Sequence, residues 1–342
     1  MARLLLLGAL AGCPHPVAGP DWSVVPALPN PRAGGYDNLH RAPTDVAVAS
    51  LVSPERWSES LSAAAAGLAL AAVNGEGGLE GWEVREAAWR GGYAGTITEV
   101  QGWTTAREAP PPPELVAWAA AGEGDLGLVR ARAPGAEVWV GLRGAVPVSL
   151  PPIPREAPLG GHLALPAGEG ARWRVTDGGG RLVEGAPGEP LSLNLTVAGE
   201  WLLRWEQAGV PIAEFPVYVD IPAPRASLLR RVEGEAASEG LPVLLGEVRE
   251  AYGAPALSLR EGVARAAAGV RAGQAPERAL PEAGVLASHA VALSCVAESV
   301  PACIDQWVYT LEGREALLLA ERAGIASEVE GGALHGLLLL TW

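Results

Sequence analysis

The chain has 342 residues, of which 49% are apolar and 19% charged, a composition that suits packed cores and argues against a disordered chain. All 25 basic residues are arginines, and the net charge of −14 argues against nucleic-acid binding and against lying flat on an anionic membrane. At this length, two or three domains are expected.

The first 13 residues have the pattern of an export signal. Arg3 precedes an apolar run, Leu4–Leu10, that is too short to span a bilayer, which needs about 20 residues. Residues 10–13, Leu-Ala-Gly-Cys, resemble the lipobox of bacterial lipoproteins, which implies cleavage after residue 12 and diacylation of Cys13. An ordinary signal peptide with an incidental cysteine is the alternative. We expect residues 13–33, which are rich in proline, to form an extended tether.

The two other cysteines, Cys295 and Cys303, are an even pair in an exported chain and predict a disulfide. The loop that it closes would contribute about 2.6 kcal/mol in the chain-entropy model. A metal site is the alternative, but only His289 lies close in sequence and no Cys-x-x-Cys spacing exists. We therefore expect neither a metal nor a cofactor.

Residues 34–150 alternate between helical and strand patterns. Ser53 and Pro54 predict the N-cap and first residue of a helix that runs to Val73. Further elements are predicted in the order helix, strand, short helix and hairpin, over Leu79–Arg90, Tyr93–Trp103, Glu114–Ala121, and Gly127–Arg132 with Glu137–Leu142. Trp82 and Trp89 are interpreted as core residues, with a stacking platform for sugar as the alternative. This order is typical of an α+β unit.

Residues 151–224 have the period-two alternation of half-buried strands between two proline clusters. Six short strands are predicted, over His162–Leu165, Ala171–Thr176, Arg181–Glu184, Leu191–Val197, Trp201–Gln207 and Ile212–Val219. The three glycines at 178–180 are placed at a hairpin turn, where positive φ is needed. The size and the pattern predict a small immunoglobulin-like β-sandwich.

Residues 225–342 have mainly helical patterns. Helices are predicted over Ser227–Ser238, Leu244–Tyr252, Leu259–Arg271, Ile304–Leu311 and Arg314–Arg322, with a break at residues 240–242 between the first two. Val285–Val296 is predicted as a strand or buried turn, and Ala333–Thr341 as a closing strand. Asp305 is interpreted as the cap of the helix near Trp307.

Two stretches of this last segment carry a family resemblance. Residues 307–318, W-V-Y-T-L-E-G-R-E-A-L-L, resemble the W-x-x-S-x-x-H-R-x-x-L-L helix of the CAP superfamily, the cysteine-rich secretory, antigen 5 and pathogenesis-related (SCP-like) proteins. Leu244–Gly269 is similar to the opening pattern of that family, with Arg249, Gly253 and Leu257 on its marks.

Residues 34–150 show a fainter version of the same patterns. Val52–Pro54 resembles the start of the opening helix, and Gly92–Glu99 resembles the A-G-Y…G-E-N turn. The resemblance implies an α+β chain with two CAP-like modules of α/β/α layers, residues 34–150 and 225–342, flanking the immunoglobulin-like sandwich.

The departures from the family pattern predict that both modules are degenerate scaffolds. CAP proteins gather two histidines and two acids in a cleft that can hold a divalent metal. In the last segment the matching positions hold Gly313, Val270 and Ala292, and in the first segment only Glu99 matches. One carboxylate makes neither an acid–base pair nor a metal cage. Glu99 is the single candidate binding residue, with a solvated strand residue as the alternative.

The remaining candidates for chemistry are scattered along the chain. Ser294 and Ser299 lack the G-x-S-x-G context of a nucleophile, and Asp125 is a lone acid. No H-x-x-x-H or H-E-x-x-H spacing links the histidines, which are His15, His40, His162, His289 and His335. No catalytic residue is predicted.

Three functions are consistent with these observations. The first is a non-catalytic interaction or scaffold protein, lipid-anchored through Cys13 at the periplasmic face or outer membrane of the cell envelope, with an envelope protein as partner. The second is a binding module for cell-wall glycan or lipid, with Trp103, Trp118 or Trp342 exposed. The third is a hydrolase, which would need a histidine or second acid near Glu99.

Overall fold

The computed structural model describes residues 24–25, 35–36, 38, 40–74, 79, 81–133, 135–146, 150–168, 170–223 and 237–342. Over these residues the chain is an α+β protein with several separate sheets. The elements are described below in three segments along the chain, called the first, middle and last segments. One short antiparallel pair, Gly35–Tyr36 with Ile153–Pro154, joins the first segment to the middle one.

The first segment is one antiparallel sheet with helices on both faces. Its sheet has the order β1-β4-β5-β3. Helices α2 and α3 cover one face and α1 and α4 cover the other, each over its own apolar core. The elements are β1 (Val24–Val25), β2 (Gly35–Tyr36), α1 (Val46–Ala49), α2 (Glu59–Asn74), α3 (Gly81–Gly91), β3 (Thr96–Ala106), α4 (Pro113–Ala120), β4 (Asp125–Ala133) and β5 (Ala136–Ala145).

Helix α2 begins later than the sequence predicts. The chain at Ser53 and Pro54 forms a turn, and the hydroxyl of Ser58 instead accepts a hydrogen bond from the Leu61 amide, at 3.2 Å. This contact satisfies one of the free amides at the helix start, as an N-cap does. The start is fixed by packing, because Trp57 is buried and bridges to Leu126 of β4.

The middle segment holds a five-stranded sheet, β10-β9-β12-β13-β7, and a two-stranded sheet, β11-β8. Buried leucines of the small sheet belong to the same apolar core as the tryptophans of the large one. Gly180, at φ +90°, makes the predicted turn between β9 and β10. The strands are β6 (Ile153–Pro154), β7 (Glu156–Ala157), β8 (His162–Leu165), β9 (Arg172–Thr176), β10 (Leu182–Glu184), β11 (Leu191–Asn194), β12 (Gly199–Gln207) and β13 (Val210–Val219).

The last segment repeats the sheet order of the first, as β14-β16-β17-β15. In both sheets the last two strands of the segment form a central hairpin. The strand that comes before this hairpin along the chain lies at an edge of the sheet, beside the last strand. The elements are α5 (Ala237–Ala251), β14 (Ser258–Leu259), α6 (Glu261–Arg271), α7 (Pro276–Glu282), β15 (Ala290–Ala297), α8 (Val300–Val308), α9 (Leu311–Leu319), β16 (Arg322–Glu330) and β17 (Ala333–Thr341).

The two segments also share a packing detail. Gly127 is the third residue of β4, and Gly324 is the third residue of β16. A Cβ at Gly127 would overlap the backbone of Leu61 in α2, and a Cβ at Gly324 would overlap the backbone of α6. In each segment, therefore, one helix lies directly on a glycine of the first hairpin strand.

Two expectations for the elements of the last segment are wrong. The chain does not break at residues 240–242, because α5 continues through Pro242, near its start. The predicted helix that reaches Arg322 ends at Leu319, and Arg322 begins strand β16. Within the expected tether, Val24 and Val25 pair with β4. Most of the predicted helix over 227–238 lies outside the described residues.

Candidate functional site

Glu99 lies on the edge strand β3, directly opposite Arg143 on β5. The carboxylate and the guanidinium are 3.1 Å apart, and the Glu99 side chain is 34% exposed. Arg143 also donates a hydrogen bond of 2.7 Å to the carbonyl oxygen of Trp118 and lies over the Trp118 ring. Glu99 therefore neutralises an arginine that holds helix α4 against the sheet.

Beside this ion pair, Trp103 and Trp118 form a half-buried aromatic pair. Their ring centroids are 5.3 Å apart and the planes are tilted by 60°. A Cβ at Gly141 of β5 would come within 2.6 Å of the Trp118 ring. Only a glycine at this position therefore allows the two rings to pack directly on the strand. Trp342 is also half-buried, but it contacts His289 in the last segment and does not join this pair.

In the last segment, the positions that match the CAP ligands offer no ligand. A Cβ at Gly313 would overlap the carbonyl oxygen of Trp307, so the backbone fills the space that a histidine side chain would need. Val270 is half-buried on α6, and Ala292 is exposed on β15. Throughout the described part of the chain, no group of three or more His, Cys, Asp or Glu side chains is placed to hold a metal ion.

Two arginines that match the family pattern, Arg249 and Arg314, are buried in the fold. Arg249 is 2% exposed and donates hydrogen bonds to the carbonyl oxygens of Pro255, Leu317 and Ala320. It thereby satisfies carbonyl groups at the end of α9, which have no partner within the helix. This arginine holds one element of the last segment to another.

Arg314 follows Gly313 in the motif and points into the middle segment. It is fully buried, and its guanidinium lies 2.9 Å from the carboxylate of Glu200 on β12. It also donates to the Glu200 carbonyl oxygen, at 2.7 Å, and stacks over the Tyr252 ring at 4.4 Å. Helix α9 is therefore fixed to the middle segment by the residue next to Gly313.

A second set of contacts joins all three segments. Arg85 of α3 forms an ion pair with Asp305 of α8 and lies 4.0 Å from Glu214 of β13. Trp89 of α3 packs edge-on against Tyr309, with centroids 5.1 Å apart, and donates to the Glu214 carbonyl oxygen at 2.7 Å. These five residues are called the three-segment junction below.

The junction corrects one interpretation from the sequence. Asp305 does not cap α8, because the Ser299 side chain accepts from the Ala302 amide and takes that role. Asp305 is instead the partner of Arg85, which lies 220 residues away. No local pattern predicts such a pair, since an acid near a helix start has a simpler local explanation.

Four buried tyrosines surround the contacts between segments. Burial raises the pKa of each phenol above its usual value, and nearby carboxylates raise the pKa further. The four, called the tyrosine cluster below, are Tyr36, Tyr218, Tyr252 and Tyr309. They stay neutral across the physiological range and serve the fold as hydrogen-bonding core residues.

Asp125, interpreted above as a lone acid, lies in a polar cluster. Asn38 donates to its carboxylate at 2.7 Å, the His40 Nε2 lies 2.7 Å from it, and the Tyr93 hydroxyl donates to it at 3.0 Å. Ser58 donates to Asn38 at 2.9 Å. The cluster fastens Asn38 and His40 to the start of β4. Sequence reasoning missed it because His40 and Asp125 are 85 residues apart.

Of the two predictions for the cysteines, the structure describes one. Cys295 and Cys303 form the predicted disulfide, which joins β15 to α8. Cys13, the predicted lipidation residue, lies outside the described residues. Among the helices that are described, none is both long and apolar enough to cross a membrane.

No family model matches the chain, and no curated protein matches its sequence. Among solved structures, the chain is similar to a cysteine-rich secretory protein from Staphylococcus aureus, with 9% identity and a TM-score of 0.26, over 73% of this chain and 87% of that chain. It is also similar to an extracellular protein containing an SCP domain from Bacillus anthracis, with 13% identity and a TM-score of 0.26, over 63% and 81%. Both neighbours are CAP-type proteins, but at this TM-score neither likeness carries an argument about this chain.

Proposed function

We propose that this chain is a non-catalytic interaction or scaffold protein of the cell envelope, anchored by lipid on Cys13. In this proposal, residues 34–150 and 225–342 are degenerate CAP-like modules and residues 151–224 are an immunoglobulin-like sandwich between them. The partner is an envelope protein.

The observation that carries the proposal is the use of the motif helix α9 as an internal contact. Two arginines on the family's marks, Arg249 and Arg314, hold the fold, while the position that would carry a metal-binding histidine is Gly313, with no room for a side chain. A catalytic centre needs several titratable or ligating groups that converge on one point. In the last segment the residues that match the family pattern stabilise the fold, and the positions that match its metal ligands hold no ligating side chain.

The first segment supports the same conclusion. A hydrolase built around Glu99 would need a general acid or base beside it, and Glu99 instead forms an ion pair with Arg143. An ion pair at a half-exposed position is a common structural contact of small energy.

The test is cross-linking of the full, tagged chain in intact cells, followed by mass spectrometry of the captured material. A discrete protein partner, captured equally by the Glu99→Gln variant, supports the proposal. A Cys13→Ser variant that is released from the membrane fraction supports the anchor, and one that stays membrane-bound refutes it. Capture of no protein, or a hydrolytic activity lost in Glu99→Gln, refutes the interaction role.

A second candidate is a binding module for cell-wall glycan. The half-exposed pair of Trp103 and Trp118 favours it, because ligand sites are lined mainly by apolar and aromatic side chains. Binding of the purified protein to isolated peptidoglycan, weakened by Trp103→Ala and unchanged in Glu99→Gln, would support this candidate. Equal binding of the two variants would refute it.

A further inference from the structure

Strand β15 is an edge strand whose outer side has no backbone partner among the described residues. It pairs along its whole length with β17, from Ala290 opposite Thr341 to Ala297 opposite Leu334. The carbonyl oxygen of Val296 accepts a hydrogen bond from the Gln306 side chain, at 3.1 Å, and so faces away from β17. Backbone groups alternate in direction along a strand, so Ala292 and Ser294 face outward as well.

The sequence around this edge carries no charge. From Ala283 to Ala297 there is no Asp, Glu or Arg, in a chain whose net charge is −14. The side chains of Ala292, Ser294 and Val296 are exposed, and Val296 is 59% exposed. Natural edge strands are normally protected against pairing by charged side chains, prolines, bulges or a short length. The eight residues of β15 carry no charge, no proline and no bulge, and only at Val296 does a side chain, Gln306 of α8, reach the outer edge in the described part of the chain.

The same edge of the first segment is protected. Strand β3 holds the matching place beside the central hairpin, and its register shifts between Ile97 and Glu99, which marks an irregularity of the bulge type. Strand β3 also carries the charge of Glu99. Gly95, the residue just before the strand, forms a β-bridge with Ala213 of the middle segment. Two edges with one topology therefore differ in their protection, and the unprotected edge is specific to the last segment.

The unprotected strand is also held rigidly. The disulfide ties Cys295 to α8, and β17 passes so close that a Cβ at Gly336 would lie 2.8 Å from the Cys295 sulfur. A strand already fixed in the extended conformation loses little conformational entropy when it pairs with another.

We propose that the outer edge of β15 pairs with the same edge of a second copy of this chain, antiparallel across a twofold axis. Antiparallel pairing of one strand with itself satisfies both sets of outward hydrogen bonds with a single surface. Two molecules that each carry a charge of −14 repel one another, and the uncharged stretch at residues 283–297 lets them approach without opposing like charges. The two four-stranded sheets would form one continuous sheet of eight strands. This inference goes beyond the proposed function and does not depend on the lipid anchor.

The experiment is site-specific photo-cross-linking of the full chain in intact cells. A photoreactive benzoylphenylalanine replaces Ser294, at the centre of the edge, and the matched control replaces Val329, which is 57% exposed on β16 and lies between Glu328 and Glu330. We expect the probe at 294, and not at 329, to give an adduct of twice the mass of the single chain, in which residues 290–297 of one copy are joined to the same residues of the other.

A charge variant tests the geometry. Ala292→Lys places two like charges at the shared edge and should reduce the yield of the adduct by about tenfold or more, whereas Val329→Lys should leave it unchanged. Both positions are exposed, and thermal melting confirms that each variant is folded. The proposal is overturned if the probe at 294 gives no adduct or captures a different protein. It is also overturned if the probe captures another surface of the second copy, or if Ala292→Lys leaves the yield unchanged.

Discussion

Replacing Arg314 with methionine should strongly destabilise the protein, because it leaves the Glu200 carboxylate buried without its partner. The Arg314 side chain is fully buried, and that of Glu200 is 6% exposed. Removal of one member of a buried ion pair costs about 3–5 kcal/mol. A domain is stable by only about 5–15 kcal/mol, so the variant loses a large fraction of the total.

The corresponding change in melting temperature can be worked out from the length of the chain. An unfolding entropy of about 2.1 cal/mol/K per residue gives about 0.7 kcal/mol/K for 342 residues. A loss of about 4 kcal/mol then lowers the Tm by roughly 5–6 °C, which differential scanning calorimetry resolves. The matched control is Arg278→Met on the exposed α7 pair with Glu282, which should leave the Tm unchanged.

A double-mutant cycle separates the ion pair from simple loss of packing. Glu200→Gln combined with Arg314→Met removes the unpaired charge, so the double variant should be more stable than Arg314→Met alone. If the two effects add, or if Arg314→Met melts with the parent protein, the buried pair does not hold α9 to the middle segment and the reasoning is refuted.

Three further predictions follow from the same contacts. Gly313→Ala should lower the free energy of unfolding by about 1–3 kcal/mol in guanidinium titrations, because the added methyl group overlaps Trp307; an unchanged midpoint would contradict the packing. The Cys295→Ser, Cys303→Ser double variant should lose about 2.6 kcal/mol, and equal denaturation midpoints with and without reductant in the parent protein would count against it. The tyrosine cluster, whose folded pKa values are raised, stabilises fully below pH 10 and less as the pH rises further; tyrosinate absorbance that grows above pH 10 before the protein unfolds would disprove this.

The local elements were predictable because they depend on short patterns. The strands of the middle segment follow from the alternation of apolar and polar residues, and the turn at Gly180 follows from its need for positive φ. The helix starts were less predictable. Ser53 and Pro54 are good starting residues, but the burial of Trp57 placed the start at Ser58. Local preference yields to packing at such positions.

The long-range contacts were not predictable from one sequence. Arg85 and Asp305, or Tyr309 and Glu86, are paired only because the chain folds back over more than 200 residues. The CAP-like motif drew attention to Arg314, but its partner Glu200 lies in a segment with no part in that motif. Such partners become visible only when the segments are in contact.

The three-segment junction also sets an order of events as the chain is made. Synthesis proceeds at about 5–20 residues per second, so the partner of Arg85, 220 residues later, emerges roughly 10–40 s after it. During that interval Trp89 lacks the Tyr309 ring, and Arg85 lacks the Asp305 carboxylate. Contacts of such long sequence separation also slow folding, because a large loop must close before they form. Until the last segment has been made, the surface of α3 at the three-segment junction therefore stays exposed. A chaperone has the most surface to protect in that period.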